Sequence, residues 1–227
     1  MTVILVLATF AIFILIDYVQ SRRKARVVVR EAEPVAVHEP VLAPNMEAIY
    51  VEGYALPINL RFHPGHTWVM RERKNLVRVG VDEFAAVLLG RVERIDLPKP
   101  GHWVRQGQKA WVVYYDGRKV AMVSPIEGEI VAVNSDLGEN PSLLQQQPYG
   151  EGWVMSVHVP DEESNYRNLL RDSLARTWMS EAATRLRTRL SEYAGAYAQD
   201  GGRPVHDVCA HLPEKAWREL VHEFLLT

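Results

Sequence analysis

The sequence predicts an α+β protein: a single N-terminal transmembrane helix, a β domain of sandwich or flattened-barrel form, and a C-terminal helical extension. Three observations carry this. Met1–Ile16 contains no charged residue. From about residue 60 to Pro160, short β-like runs alternate with glycine and proline punctuation, the pattern of many short strands joined by turns. After Pro160 the apolar residues recur every three or four positions, the period of a helix with one buried face. The boundaries read as 1–26 for the anchor with its basic flank, 27–59 for a Pro-rich tether, 60–160 for the β domain and 161–227 for the helices.

Val3–Ile16 is apolar except for Thr9. With Asp17–Gln20 it makes about 20 residues, roughly 30 Å as a helix, which spans a bilayer. Asp17 and Tyr18 then fall in the interface, where tyrosine is comfortable. A cleaved signal peptide needs a positive residue before the run and a small-x-small site after it, and neither is present. A buried core helix is the other alternative, disfavoured because the run is apolar on every face. The cluster Ser21-Arg22-Arg23-Lys24-Ala25-Arg26 directly behind the run keeps that flank cytoplasmic. The expected location is the bacterial inner membrane, crossed once, with the N-terminus outside and the remaining domain in the cytoplasm.

Prolines 34, 40 and 44 make Glu33–Pro44 a semi-rigid tether, because proline lacks an amide donor and extends its predecessor. Strands are expected at Thr67–Met70 and Leu76–Val81, joined by a turn over Glu72–Asn75. Asp82 is placed to cap a helix over Glu83–Leu89, and Gly90 to end it. Further strands are expected at Val92–Leu97, Trp111–Tyr115, Arg118–Val123, Glu129–Asn134 and Trp153–Val159.

Two segments echo each other: Gly90-Arg91-Val92-Glu93-Arg94-Ile95 and Gly128-Glu129-Ile130-Val131-Ala132-Val133. Between them Asp116-Gly117 separates Val112–Tyr115 from Arg118–Ala121. Asp-Gly between two strand-like runs signals a tight hairpin, since a type I′ turn needs positive φ at both central residues. The expected architecture is two similar halves joined by an exposed hairpin.

These residues resemble the glycine cleavage system H protein, a lipoyl-carrying domain of the biotinyl/lipoyl hammerhead type. The matching stretches are His66-Thr67-Trp68-Val69, Val79-Gly80-Val81-Asp82-Glu83-Phe84-Ala85, Leu89-Gly90-Arg91-Val92 and Asp96-Leu97-Pro98. They continue with Ser124-Pro125-Ile126-Glu127-Gly128-Glu129-Ile130, Val133-Asn134 and Pro148-Tyr149-Gly150-Glu151-Gly152-Trp153, in family order over about residues 60–160. The resemblance implies a lipoyl arm on a lysine at the hairpin tip, eight residues before the proline of the Ser-Pro step. Counting back from Pro125 reaches Gly117. The acidic and small residues that usually surround the lysine are replaced by Tyr114, Tyr115 and Asp116. Lys119, two residues on, is the candidate substitute. In a two-residue hairpin Tyr115 and Arg118 close the turn and Lys119 sits opposite Tyr114, on the strand flank, still able to point outward. The plainer reading of Lys119 is a solvated strand lysine. No cofactor is expected, with lipoate on Lys119 as the alternative.

Other chemistry is sparse. The net charge of −2 argues against a nucleic-acid partner, which needs a basic surplus. The single cysteine, Cys209, excludes an internal disulfide framework and a four-cysteine zinc site. His63-Pro64-Gly65-His66 reads as a turn rather than a ligand pair, and His206-x-x-Cys209-x-His211 is a weak metal pattern read as a loop. No phosphate-binding glycine loop, nucleophile elbow or metalloprotease motif is present, and no enzymatic activity is expected.

Leu170, Leu174, Trp178, Ala182, Leu186, Leu190, Tyr193 and Tyr197 predict one amphipathic helix over roughly 162–198, ended by Asp200-Gly201-Gly202. A second helix starts at Pro213, with Trp217, Leu220, Val221 and Phe224 on one face. The two either close on the β domain as a helical hairpin or offer a seam to a partner, through Trp178, Leu186, Leu190, Tyr197 and Trp217. The expected role is a non-catalytic docking subunit that contacts the lipid bilayer and an integral-membrane complex. The alternative is a membrane-tethered lipoyl carrier modified at Lys119.

Overall fold

The computed structural model describes residues 46–115, 117–194 and 212–226. The segment expected to be an anchor, its basic flank, most of the expected tether, Tyr197 and the His206/Cys209/His211 group lie outside the described residues. Among the described residues no helix is long and apolar enough to cross a membrane.

Eleven short strands form three sheets among the described residues. β1 (Ala48–Val51) and β2 (Tyr54–Pro57) make a separate hairpin. The largest sheet has the order β3-β4-β5-β11-β10-β7, from β3 (Arg61–His63), β4 (Thr67–Arg73), β5 (Leu76–Val81), β11 (Met155–His158), β10 (Gly128–Val133) and β7 (Trp103–Val104). The third has the order β6-β8-β9, from β6 (Arg94–Asp96), β8 (Lys109–Tyr115) and β9 (Arg118–Val123). Every pairing is antiparallel. The two echoed glycine segments therefore contribute strands to different sheets.

Helix α1 (Glu83–Leu89) has the expected bounds and cap: the Asp82 carboxylate accepts the Ala85 N–H at 2.8 Å. Short helices α2 (Asp136–Glu139) and α3 (Leu143–Gln146) follow β10. C-terminal to β11 lie α4 (Glu162–Tyr166), α5 (Asp172–Ala194) and α6 (Glu214–Leu225).

Four expectations are corrected. The strand before the first turn runs on to Arg73, so the turn is confined to Lys74-Asn75, with Asn75 at φ 60°. The tether does not extend to residue 59: β1 and β2 fall inside it, and Tyr54 and Ala55 are fully buried. The long helix is broken. Phe62 and Leu170 exchange backbone hydrogen bonds of 2.9 and 2.7 Å, so Leu170 completes the β3 edge and cannot continue a helix. Finally, the seam of α5 and α6 is turned inward. Leu186, Leu190 and Trp217 are buried, and Trp178 is half-buried with its ring 4.5 Å from that of His66. Leu174, expected in that seam, is instead exposed, and Ala175 and Met179 take the inward positions. Of the two readings of the tail, it is the helical hairpin closing on the β domain that the structure shows, because these side chains bury their apolar area within the chain itself.

Candidate functional site: the β8–β9 hairpin

The tip of the β8–β9 hairpin is the position to which the resemblance assigns an acylated lysine. Tyr115 pairs with Arg118, and Tyr114 with Lys119, as the two-residue turn requires. Gly117 has φ 70°, the left-handed region glycine favours. A Cβ built on it meets nothing within 4 Å among the described residues. The site has room for a side chain and supplies none. Lipoate needs a primary amine to form its amide, so position 117 does not fit the group as it stands.

Lys119 is exposed on the outer face of the three-stranded sheet. It lies in one cross-strand row with Tyr114 and Arg94. The Arg94 guanidinium is 3.9 Å from the Tyr114 ring centroid. The Tyr114 hydroxyl donates to the Asp96 carboxylate at 2.7 Å. That hydrogen bond raises the phenol above its ordinary pKa, and desolvation and the Asp96 charge act in the same direction.

The inner face is closed. Val113, Tyr115, Val120 and Met122 are buried, so the hairpin is bedded down to its last paired rung. Arg118 holds α6 against it. Its Nη2 donates to the Leu212 carbonyl at 3.1 Å, and its Nε lies 3.1 Å from the Glu214 carboxylate. Its guanidinium carbon is 5.1 Å from the Trp217 ring centroid. Further along α6, Phe224 packs 5.2 Å from Phe84 and beneath the Arg185 guanidinium. Sequence reasoning missed Arg118 and Glu214, since they lie 96 positions apart in the numbering and neither belongs to a motif.

The motif residues support the scaffold. His66 and Asp82, both buried, meet at 2.8 Å, and His66 stacks on Phe84 at 4.0 Å. Trp68 Nε1 donates to the carbonyls of Val81 and Pro148. Ala55 N–H donates to the buried Glu83 carboxylate at 2.6 Å, and the Tyr149 hydroxyl donates to the Ala55 carbonyl at 2.7 Å. A Cβ on Gly80 would lie 2.5 Å from the Trp68 ring, and one on Gly152 2.5 Å from the Leu143 carbonyl oxygen. His63 does not join a ligand set: its Nδ1 accepts the Gly65 N–H at 3.0 Å. Among the described residues no cluster of His, Cys, Asp and Glu is arranged to hold a metal.

A family model described as "Glycine cleavage H-protein" matches residues 60–182. The glycine cleavage system H protein of Mycobacterium leprae (strain TN) is 36% identical over 106 residues, covering 47% of this chain and 80% of that protein. The Cronobacter sakazakii H protein is 34% identical over 125 residues, 52% of this chain and 97% of that one. Among solved structures, a glycine cleavage system H protein from Mycobacterium marinum is similar at 25% identity and a TM-score of 0.48, covering 56% of this chain and 98% of its own. With a match that spans more than half its length, over the same stretches that carry the hairpin, the buried His66–Asp82 pair and the Pro148–Trp153 motif, this chain belongs to the glycine cleavage H-protein family.

Proposed function

We propose that this chain is a non-catalytic, membrane-anchored docking subunit that uses an unmodified H-protein-type domain. The observation that carries the reading is the hairpin. Gly117 sits where the resemblance puts the acylated lysine, and the neighbouring Arg118 is committed to the C-terminal helix. A carrier requires a free tip bearing an amine; this tip has neither an amine nor a detached inner face. Fold alone does not assign function, and the loss of the attachment group removes the carrier chemistry while leaving the scaffold. The apolar run Val3–Ile16 and the basic cluster behind it support one span of the bacterial inner membrane with the domain in the cytoplasm. A tether raises the effective concentration of the domain near a membrane partner. With the α5 and α6 seam spent internally, the partner contact falls on the anchor and on the outer surface of the domain.

The second reading is a tethered carrier modified at Lys119, favoured by that side chain's exposure. One preparation separates the two: full-length protein produced with lipoate and its ligase, purified in mild detergent from its native membrane. Docking predicts the unmodified intact mass and co-purifying integral-membrane subunits. A lipoyl adduct on Lys119 establishes the carrier instead. A detergent-solubilised monomer with no partner refutes the docking role.

A further inference from the structure

We infer that α6 is a latch over the β8–β9 hairpin, held by Arg118, which closes the hairpin to acylating enzymes. The inference rests on the reading of the hairpin as unmodified, and extends it from a missing amine to a built-in exclusion of the enzyme.

The geometry carries it. An isolated two-stranded hairpin exposes both faces near its tip, yet Tyr115, in the last rung, is only 3% exposed. The side chain opposite it, Arg118, contributes one bond to the Leu212 carbonyl just before α6, one ion pair to Glu214 in its first turn and a stack on Trp217. All three contacts lie at the N-terminal end of α6, so Arg118 supplies the polar contacts that seat that end beside the buried Leu212, Ala216 and Trp217. The far end is seated differently, by Phe224 on Phe84 and by the Arg189–Glu223 contact at 3.1 Å. Trp217 Nε1 is buried with no acceptor among the described residues. Glu214 is half-exposed and also engages Arg218 at 2.7 Å, so it has an alternative partner when α6 lifts. The N-terminal half of α6 is thus the part that opens, and an enzyme that grips a hairpin across both strands needs it open.

The test uses the full chain with lysine restored at the tip. A lipoate ligase joins the lysine ε-amine to the carbonyl of lipoyl-adenylate, forming the amide, expelling AMP and releasing a proton. Gly117→Lys alone should be modified slowly. Gly117→Lys with Arg118→Ala should be modified at least about tenfold faster, a factor equivalent to about 1.4 kcal/mol. In parallel, hydrogen exchange in Arg118→Ala should quicken in the first turns of α6 while β4 and β5 keep their protection. Equal modification rates in the two backgrounds, no modification in either, or unchanged exchange in α6 would each overturn the latch. The mass of the wild-type chain is read separately: an adduct there removes the docking reading, whereas the comparison of the two lysine variants decides the latch.

Discussion

Acidification should weaken this protein through one side chain in particular. His63 is held down from 6.5 to about 4, chiefly by burial and secondarily by the charge of His66. Its Nδ1 already accepts the Gly65 N–H, so a proton there would set donor against donor. The unfolded chain takes up a proton near pH 6.5, whereas the native chain resists it until about pH 4. The neutral imidazole therefore contributes fully above pH 6.5, and that stability is lost as the pH falls through the window towards 4. At about 1.4 kcal/mol per pH unit, most of the gap is spent by pH 4.5, a loss of about 2 kcal/mol relative to pH 7.5. Carboxylates titrate in the same range, so the comparison is with His63→Gln, which cannot take up the proton. Full-length protein in mild detergent, unfolded by urea and followed by tryptophan fluorescence at both pH values, gives the difference directly. Wild type should lose about 2 kcal/mol more than His63→Gln on acidification. Equal losses would show that His63 titrates normally in the folded state and refute the burial argument.

Two further substitutions probe the motif residues. Gly128→Ala drives a Cβ into the His158 carbonyl oxygen and to 2.8 Å from Val157 Cγ1; backbone cannot yield as a side-chain tip can, so a loss of about 1–3 kcal/mol is expected in the same urea assay. Asp82→Ala removes the α1 cap and leaves the buried His66 ring nitrogen without its carboxylate partner, and should cost about 2–4 kcal/mol, a cap plus a buried polar group left unpaired, against about 1 kcal/mol if only the cap mattered.

What was legible in the sequence follows the locality of each signal. α1, β5 and β9 have the expected bounds, since caps, alternation and an Asp-Gly turn act within a few residues. The hairpin rungs Tyr115–Arg118 and Tyr114–Lys119 follow from turn length alone. β1 and β2 were hidden, because a hairpin of two four-residue strands behind a proline-rich stretch has too little periodicity to distinguish it from tether. The break at Leu170 was equally hidden: its backbone partner Phe62 lies more than one hundred positions earlier, and no helix rule sees a strand edge that needs closing. The Arg118 clamp belongs to the same class. The exposed tip and the glycine at it were readable at the site, as was a helical hairpin closing on the β domain; that α6 lands on the inner face of this β-hairpin was not.

The described residues outside the family match contribute to the core and are not appendages, and this gives a prediction about the minimal folding unit. The match covers 60–182, yet inside it Glu83 is 2% exposed and its carboxylate accepts the Ala55 N–H. Tyr149 spends its hydroxyl proton on the Ala55 carbonyl, and the Phe84 ring lies 5.2 Å from both Tyr54 and Phe224. Beyond the match, Arg187 of α5 reaches Glu52 in the β1–β2 turn at 2.7 Å. That contact holds the Glu52 carboxyl below its ordinary pKa, mainly through the hydrogen bond it accepts. A fragment of residues 60–182 therefore exposes one face of Phe84, takes the Ala55 N–H from the Glu83 carboxylate and the Ala55 carbonyl from the Tyr149 hydroxyl, and loses the cover of the hairpin's inner face. Each of these lost hydrogen bonds costs about 0.5–1.5 kcal/mol, more at the charged carboxylate, in addition to the lost apolar contacts, against a total domain stability of about 5–15 kcal/mol. The fragment should lack a cooperative urea transition, and a fragment of 46–227 should retain one with a midpoint near that of the full chain. If 60–182 unfolds cooperatively at the full-length midpoint, the terminal elements are decorations, and the closed hairpin face does not depend on them.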